Sequence, residues 1–398
     1  MSYKLLFLDQ FGYLGGGQHV LLETLNSLDR SQYRMMVALG GCGHFRKRLV
    51  DDGIPVVELP LGRYHSGEKT LIDMLRFFIR SLYCAFVLTR WVVLHRMHLL
   101  FANGPRTFVC VTLAGRFTHR PVIWHLHNVL PSGVELNLLV FFSRWVHTIL
   151  VCSRAVAKPL LEKRPSLCTK VKLLYNPVPR LNLSSPTEIA ELRESFSLEA
   201  EDICIGILGR ITPFKGQLCF LQAAQLVLQQ CQRARFFVIG DPAPDKTDQE
   251  YYRRLQQLVL QAGMKGSVFF VGHQKEVEKY LQMMDVIVVA SQGPEALPRA
   301  IIEAMFLGKA VIAPPSGGVM EILEDGKTGR LVEVTQPIEV AASMLELILN
   351  PQTRESLGLR AKERIAHHIS REQFAEEIQL TVRSCLDKEQ VVPLDMAK

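Results

Sequence analysis

Short apolar runs alternate with stretches of helical period along almost the whole chain. The runs YKLLFL, YRMMVAL, IPVVEL, HLLFA, PVIWHL and TILVCS read as strands. Between them the spacing of apolar positions predicts helices, for example over 18–28 and 71–94. Strands that alternate with helices imply right-handed β-α-β units around a parallel sheet. The pattern lapses into Pro, Asn and Ser in LLYNPVPRLNLSSPTEIA, a linker signal. It then restarts with ICIGILG, RFFVIG, SVFFVG, DVIVVA and KAVIAP, separated by helices expected over 216–230, 250–262 and 276–283.

The fold class expected is therefore α/β, with two doubly wound Rossmann-like domains over 1–177 and 178–370, facing each other across a cleft. The helical stretch SREQFAEEIQLTVRSCL and a polar tail make up the remainder, 371–398. Ligands of open α/β sheets bind beyond the carboxyl ends of the strands, so the chemistry is expected in the loops that follow them.

Composition supports this division. A chain of 398 residues, 48% hydrophobic and 21% charged, exceeds the size at which one core keeps growing. Its nine cysteines are odd in number and scattered through apolar runs, with no C-x-x-C, which suits reduced, buried thiols in a cytoplasmic protein. The first residues, MSYKLLFLDQFG, have no cleavage site and resemble a first strand more than a signal peptide.

The net charge of +7 is unevenly spread. Between Asp73 and Glu135 there is no acidic residue, but there are seven arginines: Arg76, Arg80, Arg90, Arg96, Arg106, Arg116 and Arg120. Arg76, Arg80, Arg90 and Arg96 interrupt the longest apolar segment before it reaches the roughly 18 uncharged residues of a membrane span. No span is expected. On a helical wheel Asp73, Arg76, Arg80 and Arg90 share one arc, and Leu75, Phe78, Ile79, Leu82, Phe86, Val87 and Trp91 occupy the other faces. Two readings stay open: a helix packed into the core with one solvated face, or peripheral attachment to an anionic membrane.

Four motifs lie beyond expected strands. DQFGYLGGGQHVLLETLNSL places Gly15, Gly16 and Gly17 before a helix, as either a tight turn or a close backbone approach to an anion or acceptor. It is not G-x-G-x-x-G, and YRMMVALGG ends in glycine rather than an acid, which disfavours a nicotinamide dinucleotide site. PVIWHLHNVLPSG carries His125 and His127 on one face of a strand. They read as a metal pair lacking a third ligand, a hydrogen-bond donor entering the cleft, or satisfied structural histidines.

In ILGRITPFKGQLCFLQAA, Arg210 and Lys215 flank the turn before a helix, an arrangement suited to clamping a diphosphate. In GPEALPRAIIEAMFLGKAVIAPPSGG, Glu295 lies in a loop and Glu303 in the following helix. A carboxylate can accept two hydrogen bonds from a vicinal diol, so the pair suits the two sugars of a nucleotide sugar; the plainer reading is a loop acid and a capping acid. Gly317 and Gly318 add another place for close backbone approach.

With these residues in view, the sequence resembles the retaining, nucleotide-sugar-dependent glycosyltransferases of family four, which have the GT-B fold. The resemblance runs over nearly the whole chain, through GGGQHVLLETLNSL, WHLHN, YNPV, LGRITPFKG, FFVIGD, VFFVGHQKEV, PEALPRAIIEAMFLGKAVIA and GGVMEILEDGKTGRLV. It implies an N-terminal acceptor-side domain, a C-terminal nucleotide-sugar domain, and a last helix that crosses back to the first. Arg210 and Lys215 match the diphosphate-binding pair, Glu303 the ribose-binding glutamate, Glu295 the carboxylate at the donor sugar and His127 the catalytic histidine. Gly16 and Gly17 match the glycine loop, and the backbone of 272–275 the segment flanking the base.

The family usually has Glu-Gly-Phe-Gly where this chain has Glu295, Ala296, Leu297 and Pro298. Pro298 lacks an N–H, so a phosphate contact there falls to Ala296, Leu297 or Arg299, and the Arg299 side chain is expected to supplement the clamp. The implied reaction moves a hexosyl group from a UDP- or GDP-sugar to a glycan or lipid-linked acceptor, with retention. It needs no cofactor or metal, and no nucleic acid partner is expected. No D-x-D is found. A nucleotide-sugar epimerase or hydrolase, or an inactive donor-binding scaffold, are the alternatives. The cytoplasm is the place expected, with attachment to the cytoplasmic face of a membrane left open.

Overall fold

The computed structural model describes residues 2–62, 71–130, 132–178, 180–243 and 245–387; the tail expected at 388–398 lies outside them. The chain divides into two units: Met1–Pro177 together with the segment from Arg371 onward, and Val178–Ser370.

The first unit is built on strands β1 (Tyr3–Asp9), β2 (Tyr33–Leu39), β3 (Val56–Glu58), β4 (Leu99–Asn103), β5 (Val122–Leu126), β6 (Thr148–Val151) and β7 (Val171–Leu173). Its helices are α1 (Gly16–Asn26), α2 (His44–Asp51), α3 (Leu71–His95), α4 (Pro105–Thr118), α5 (Val134–Phe142) and α6 (Arg154–Lys163). All its strand pairs are parallel, in the order β3-β2-β1-β4-β5-β6-β7.

The second unit repeats the plan. Its strands are β8 (Ile203–Leu208), β9 (Ala234–Ile239), β10 (Val268–Gly272), β11 (Val286–Val288), β12 (Ala310–Ala313) and β13 (Arg330–Leu331), ordered β10-β9-β8-β11-β12-β13 and again parallel. Its helices are α7 (Pro186–Ser195), α8 (Gln217–Leu228), α9 (Lys246–Gln261), α10 (Val277–Met283), α11 (Arg299–Phe306), α12 (Val319–Ile322), α13 (Pro337–Leu349) and α14 (Pro351–His368). In each sheet the winding reverses beside the first strand, between β1 and β4 and between β8 and β11. Such a switch point leaves a crevice at the strands' carboxyl ends.

The last helix, α15 (Arg371–Asp387), belongs to the first unit. Phe374, Ile378, Val382 and Cys385 recur at helical spacing and are buried among residues of β1, α1 and β2. Burying one such large side chain contributes about 1.5–3 kcal/mol, enough to hold the helix there. An ion pair between Arg371 and Glu23 of α1 flanks this contact.

The expected helices are present with ends shifted by up to four residues. The largest shift is at α9, which begins early because Asp245 caps it by accepting a hydrogen bond from the Asp248 N–H. The strands β7 and β13 are not legible as apolar runs. They are two or three residues long and only partly buried, at sheet edges.

Helix α3 corrects the sequence reading in two ways. The side chains it buries are Ser81, Cys84, Ala85, Leu88 and Val92, while Leu75, Phe78, Ile79, Leu82 and Phe86, expected on its packed faces, are exposed. The arginines also interrupt it less than expected. An 18-residue window with at most two charged residues averages a hydropathy of 1.6, long and apolar enough by composition to cross a membrane. The buried stripe, however, is part of the first unit's packing.

Candidate active site

In the second unit, the loops after β8 and β11 emerge side by side at the switch point and clasp each other. Gly216 has φ +72°, and a Cβ there would lie 1.9 Å from the Ala290 carbonyl oxygen. Only glycine permits that approach. The Gln292 N–H donates to the Phe214 carbonyl at 2.8 Å. This contact brings Lys215 to Glu295, with Nζ 2.5 Å from Oε1. The Ser291 hydroxyl donates to the same oxygen. Arg210 stands exposed beside the turn.

The main chain of Glu295 is fixed from the other side by the second glycine pair. The Gly318 N–H donates to the Glu295 carbonyl at 2.8 Å. A Cβ on Gly317, at φ +59°, would lie 2.0 Å from that oxygen. Gly317 and Gly318 therefore place a catalytic candidate, where the sequence suggested an approach to the ligand itself. Ala296 and Leu297 are buried, so what Leu297 can offer a phosphate is its N–H.

Pro298 precedes α11 as its cap, and helical N–H groups begin at Arg299. Glu303 follows one turn later and is 5% exposed. Both Arg299 Nη2, at 2.7 Å, and Arg299 Nε, at 3.1 Å, donate to its Oε1. Burial pushes the Glu303 carboxyl upward, and the Arg299 charge pulls it back. The guanidinium expected to supplement the phosphate clamp is thus held by Glu303, and it leaves Oε2 of that carboxylate for a ligand. Beyond β10, His273, Gln274 and Lys275 line a hollow shared with Leu192, Glu276, Lys279 and Tyr280.

In the first unit, β1 ends at Asp9 and β4 at Asn103, paired in register across the switch point. Asp9 accepts hydrogen bonds from the Phe11 N–H and Gln18 Nε2 on one oxygen, each at 2.8 Å, and from Asn103 Nδ2 on the other at 2.5 Å. Asn103 Nδ2 also donates to the Gly17 carbonyl at 3.1 Å, and its Oδ1 lies 2.7 Å from His127 Nε2. The His127 ring sits over Gly17, where a Cβ would come 3.3 Å from its Cδ2. Gly16 opens α1, capped by Gly15, whose N–H donates to Gln18 Oε1.

His125 is wholly buried, between the edge of Phe101 and the His127 ring, with neither ring nitrogen bonded. Burial holds it well below the usual histidine range, and it is neutral. No group of three or more His, Cys, Asp or Glu side chains suited to a metal exists among the described residues.

Asp9, Asn103, Gln18 and Ser291 were not singled out by sequence. Asp9 did leave a signal, as a charge ending a strand whose last five residues are fully buried.

Two family models match this chain: Glycosyltransferase Family 4 over residues 14–180 and Glycosyl transferases group 1 over 188–364. Among curated proteins it is 26% identical over 243 residues to the spore coat protein SA of Bacillus subtilis, 58% of this chain and 64% of that protein. It is 25% identical over 201 residues to the lipopolysaccharide 1,2-N-acetylglucosaminetransferase of Salmonella typhimurium, 50% of this chain and 52% of that one. These matches span about half to two thirds of the relatives' lengths. The crystal structure of Anabaena Alr3699/HepE in complex with UDP and glucose superposes with a TM-score of 0.82 at 25% identity, over 96% of this chain and 100% of that one. A Rickettsia africae glycosyltransferase shares the fold, with a TM-score of 0.78 at 18% identity. With both halves matched in order and the two parallel α/β units in place, the chain belongs to the family-four, group 1 glycosyltransferases of the GT-B fold.

Proposed function

We propose that this protein is a retaining glycosyltransferase that moves a hexosyl group from a nucleoside diphosphate sugar, UDP-linked by preference, to a hydroxyl of a glycan or lipid-linked acceptor. The observation that carries this reading is the cluster at the second unit's switch point, where a lysine, two glutamates and a helix N-terminus converge. The HepE complexes with UDP and with UDP-glucose support the choice of base.

Lys215 is paired with Glu295. An incoming diphosphate competes for Lys215 with more charge than one carboxylate, and Arg210 adds a second cation. The ribose diol meets Glu303 Oε2, whose partner oxygen Arg299 already holds. As the bond between the anomeric carbon and the diphosphate oxygen breaks, its electron pair leaves with the diphosphate, and Lys215, Arg210 and the N–H groups of α8 and α11 stabilise that charge. Glu295, bonded by Ser291, faces the positive charge that develops on the sugar. The acceptor oxygen bonds to the same face that the diphosphate leaves, and its proton passes to a diphosphate oxygen. The scheme as proposed uses no metal. His127 is proposed to act, as a neutral imidazole, against a sugar hydroxyl.

The test is incubation of the purified chain with UDP-glucose and UDP-N-acetylglucosamine while NMR follows the anomeric proton of the released or transferred sugar. Retention predicts the α-anomer first; first appearance of the β-anomer overturns it. Turnover of donor to an epimer would favour the epimerase alternative.

The same reading includes attachment to the cytoplasmic surface of an anionic membrane through α3. Its outward side presents Ile72, Leu75, Ile79, Leu82, Phe86, Val93 and Leu94, all more than 40% exposed, interspersed with exposed Arg76 and Arg90. A face that is apolar and carries cations suits the boundary between headgroups and acyl chains, which a second copy of an equally basic helix does not.

A further inference from the structure

Apart from His127, the buried cluster at the carboxyl end of β1 has no part in that scheme. We propose that Asp9 is a positioning residue which, through the Asn103 amide, fixes His127 as its Nε2–H tautomer and holds the ring over Gly17. The inference takes the sugar-facing role of His127 from the proposed function, but the tautomer itself does not depend on that role.

Asp9 is wholly buried and receives three hydrogen bonds, from the Phe11 N–H, Gln18 Nε2 and Asn103 Nδ2. Only an ionised carboxylate accepts all three without giving one back. Asn103 Nδ2 faces two acceptors, Asp9 Oδ2 and the Gly17 carbonyl, so the amide cannot be reversed without opposing like partners. Its Oδ1 is thereby turned to His127 Nε2 at 2.7 Å. An amide oxygen accepts and never donates, so Nε2 must carry the hydrogen and Nδ1 the lone pair. His127 Nδ1 is buried without a partner, and burial lowers the ring to about 4, which keeps it neutral.

The groups facing this chain are neutral. They are Gln18 from α1, the N–H groups of Gln10 and Phe11 after β1, Asn103 from β4, and His125 beside His127 from β5. Burial raises Asp9 to about 6 against the hydrogen bonds that lower it. Below that pH a proton on Asp9 would place donor against donor at Asn103. The amide then turns over, gives up its bond to the Gly17 carbonyl, offers Oδ1 to Asp9 and Nδ2 to His127 Nε2, and the imidazole moves its hydrogen to Nδ1 by exchange with water. The only proton gained overall is the one on Asp9.

The experiment is long-range 1H–15N NMR of the full chain labelled with 15N-histidine, with His127→Gln used to assign the signal. At pH 7.5 His127 should be protonated at Nε2, and between pH 7.5 and 5 it should change to Nδ1–H with a midpoint near 6. Asp9→Asn, whose amide imitates the protonated acid, should give the Nδ1–H form throughout. An Nδ1–H signal in the unaltered protein at pH 7.5, or no change across the titration, overturns the proposal without reliance on any variant folding. Turnover of UDP-glucose should lose about tenfold in kcat per pH unit below 6 at constant KM, and Asp9→Asn should flatten that limb. If the tautomer behaves as stated and kcat ignores it, the positioning role stands and the proposed role of His127 fails.

Discussion

Lys215 and Glu295 lie 80 positions apart in the chain and meet at 2.5 Å where the loops after β8 and β11 clasp. The pair is partly shielded, with 29% and 13% of the side chains exposed. It holds a cation at the mouth of α8. Lys215→Ala combined with Arg210→Ala should therefore abolish the thermal shift caused by UDP. In the unaltered chain a hundredfold excess over Kd stabilises by about 2.7 kcal/mol. Lys215→Ala alone should lower kcat by about 10²–10³, the usual loss when one stabiliser of developing charge is removed. A shift equal in the two proteins would remove the clamp.

Glu303→Gln keeps the shape of the side chain but weakens its hold on the ribose and on Arg299. The affinity for UDP should fall about tenfold, equivalent to one hydrogen bond of about 1.4 kcal/mol. The affinity for inorganic pyrophosphate, which has no ribose, should not change. Equal losses for both ligands in isothermal titration would place Glu303 at the phosphates instead.

Gly17→Ala separates activity from stability. Gly17 is the second residue of α1, where alanine is favoured over glycine by up to about 1 kcal/mol. Its Cβ would come 3.3 Å from His127 Cδ2, and the Asn103 bond limits how far that ring can yield. The melting temperature should hold or rise while kcat falls about tenfold. Gly317→Ala should instead unfold the loop that carries Glu295, because its Cβ meets a carbonyl oxygen at 2.0 Å.

Asp9 should cost stability at neutral pH. Its carboxyl titrates near 6 when folded and 3.8 when unfolded, so between those values the folded chain binds more protons. Stability from this group is full below 3.8 and is lost as pH rises through 6. Between pH 5 and 7.5 the loss is about 1.4 kcal/mol. Asp9→Asn should therefore gain on the parent by about that much over this range, read from urea midpoints at the two pH values. A gap that does not change with pH would show that Asp9 is ionised throughout.

Attachment through α3 is read by sedimentation with phosphatidylcholine vesicles, with and without phosphatidylglycerol. The chain should bind the anionic vesicles at low salt and leave them as salt screens the arginines. Arg76→Glu with Arg90→Glu should weaken binding more than tenfold, since each arginine contributes about 1 kcal/mol at such a surface. Leu82→Ser with Phe86→Ser should weaken it without altering the salt dependence. Concentration-dependent dimers, with no vesicle binding, would assign the face to a second copy.

Much of the plan was legible in the sequence because it depends on local order. Apolar runs of strand length and helical spacing are properties of neighbours in the chain, and they marked eleven of the strands, the break between the units and the glycine-bearing loops. Motif order likewise pointed to Lys215, Glu295, Glu303 and His127. Strand order is a different kind of fact. It decides that β1 neighbours β4 and β8 neighbours β11, and so brings Asp9 to Asn103, 94 positions away, and Ser291 and Lys215 to one oxygen of Glu295. The face that α3 buries was also decided in three dimensions: both of its sides are apolar in sequence, and packing against α4 chose the one with small residues at Ser81, Cys84 and Ala85, which let the helices approach. Sequence determined which segments could form elements and which loops could carry chemistry; tertiary structure, by closing distances that no local pattern encodes, decided which side chains are partners.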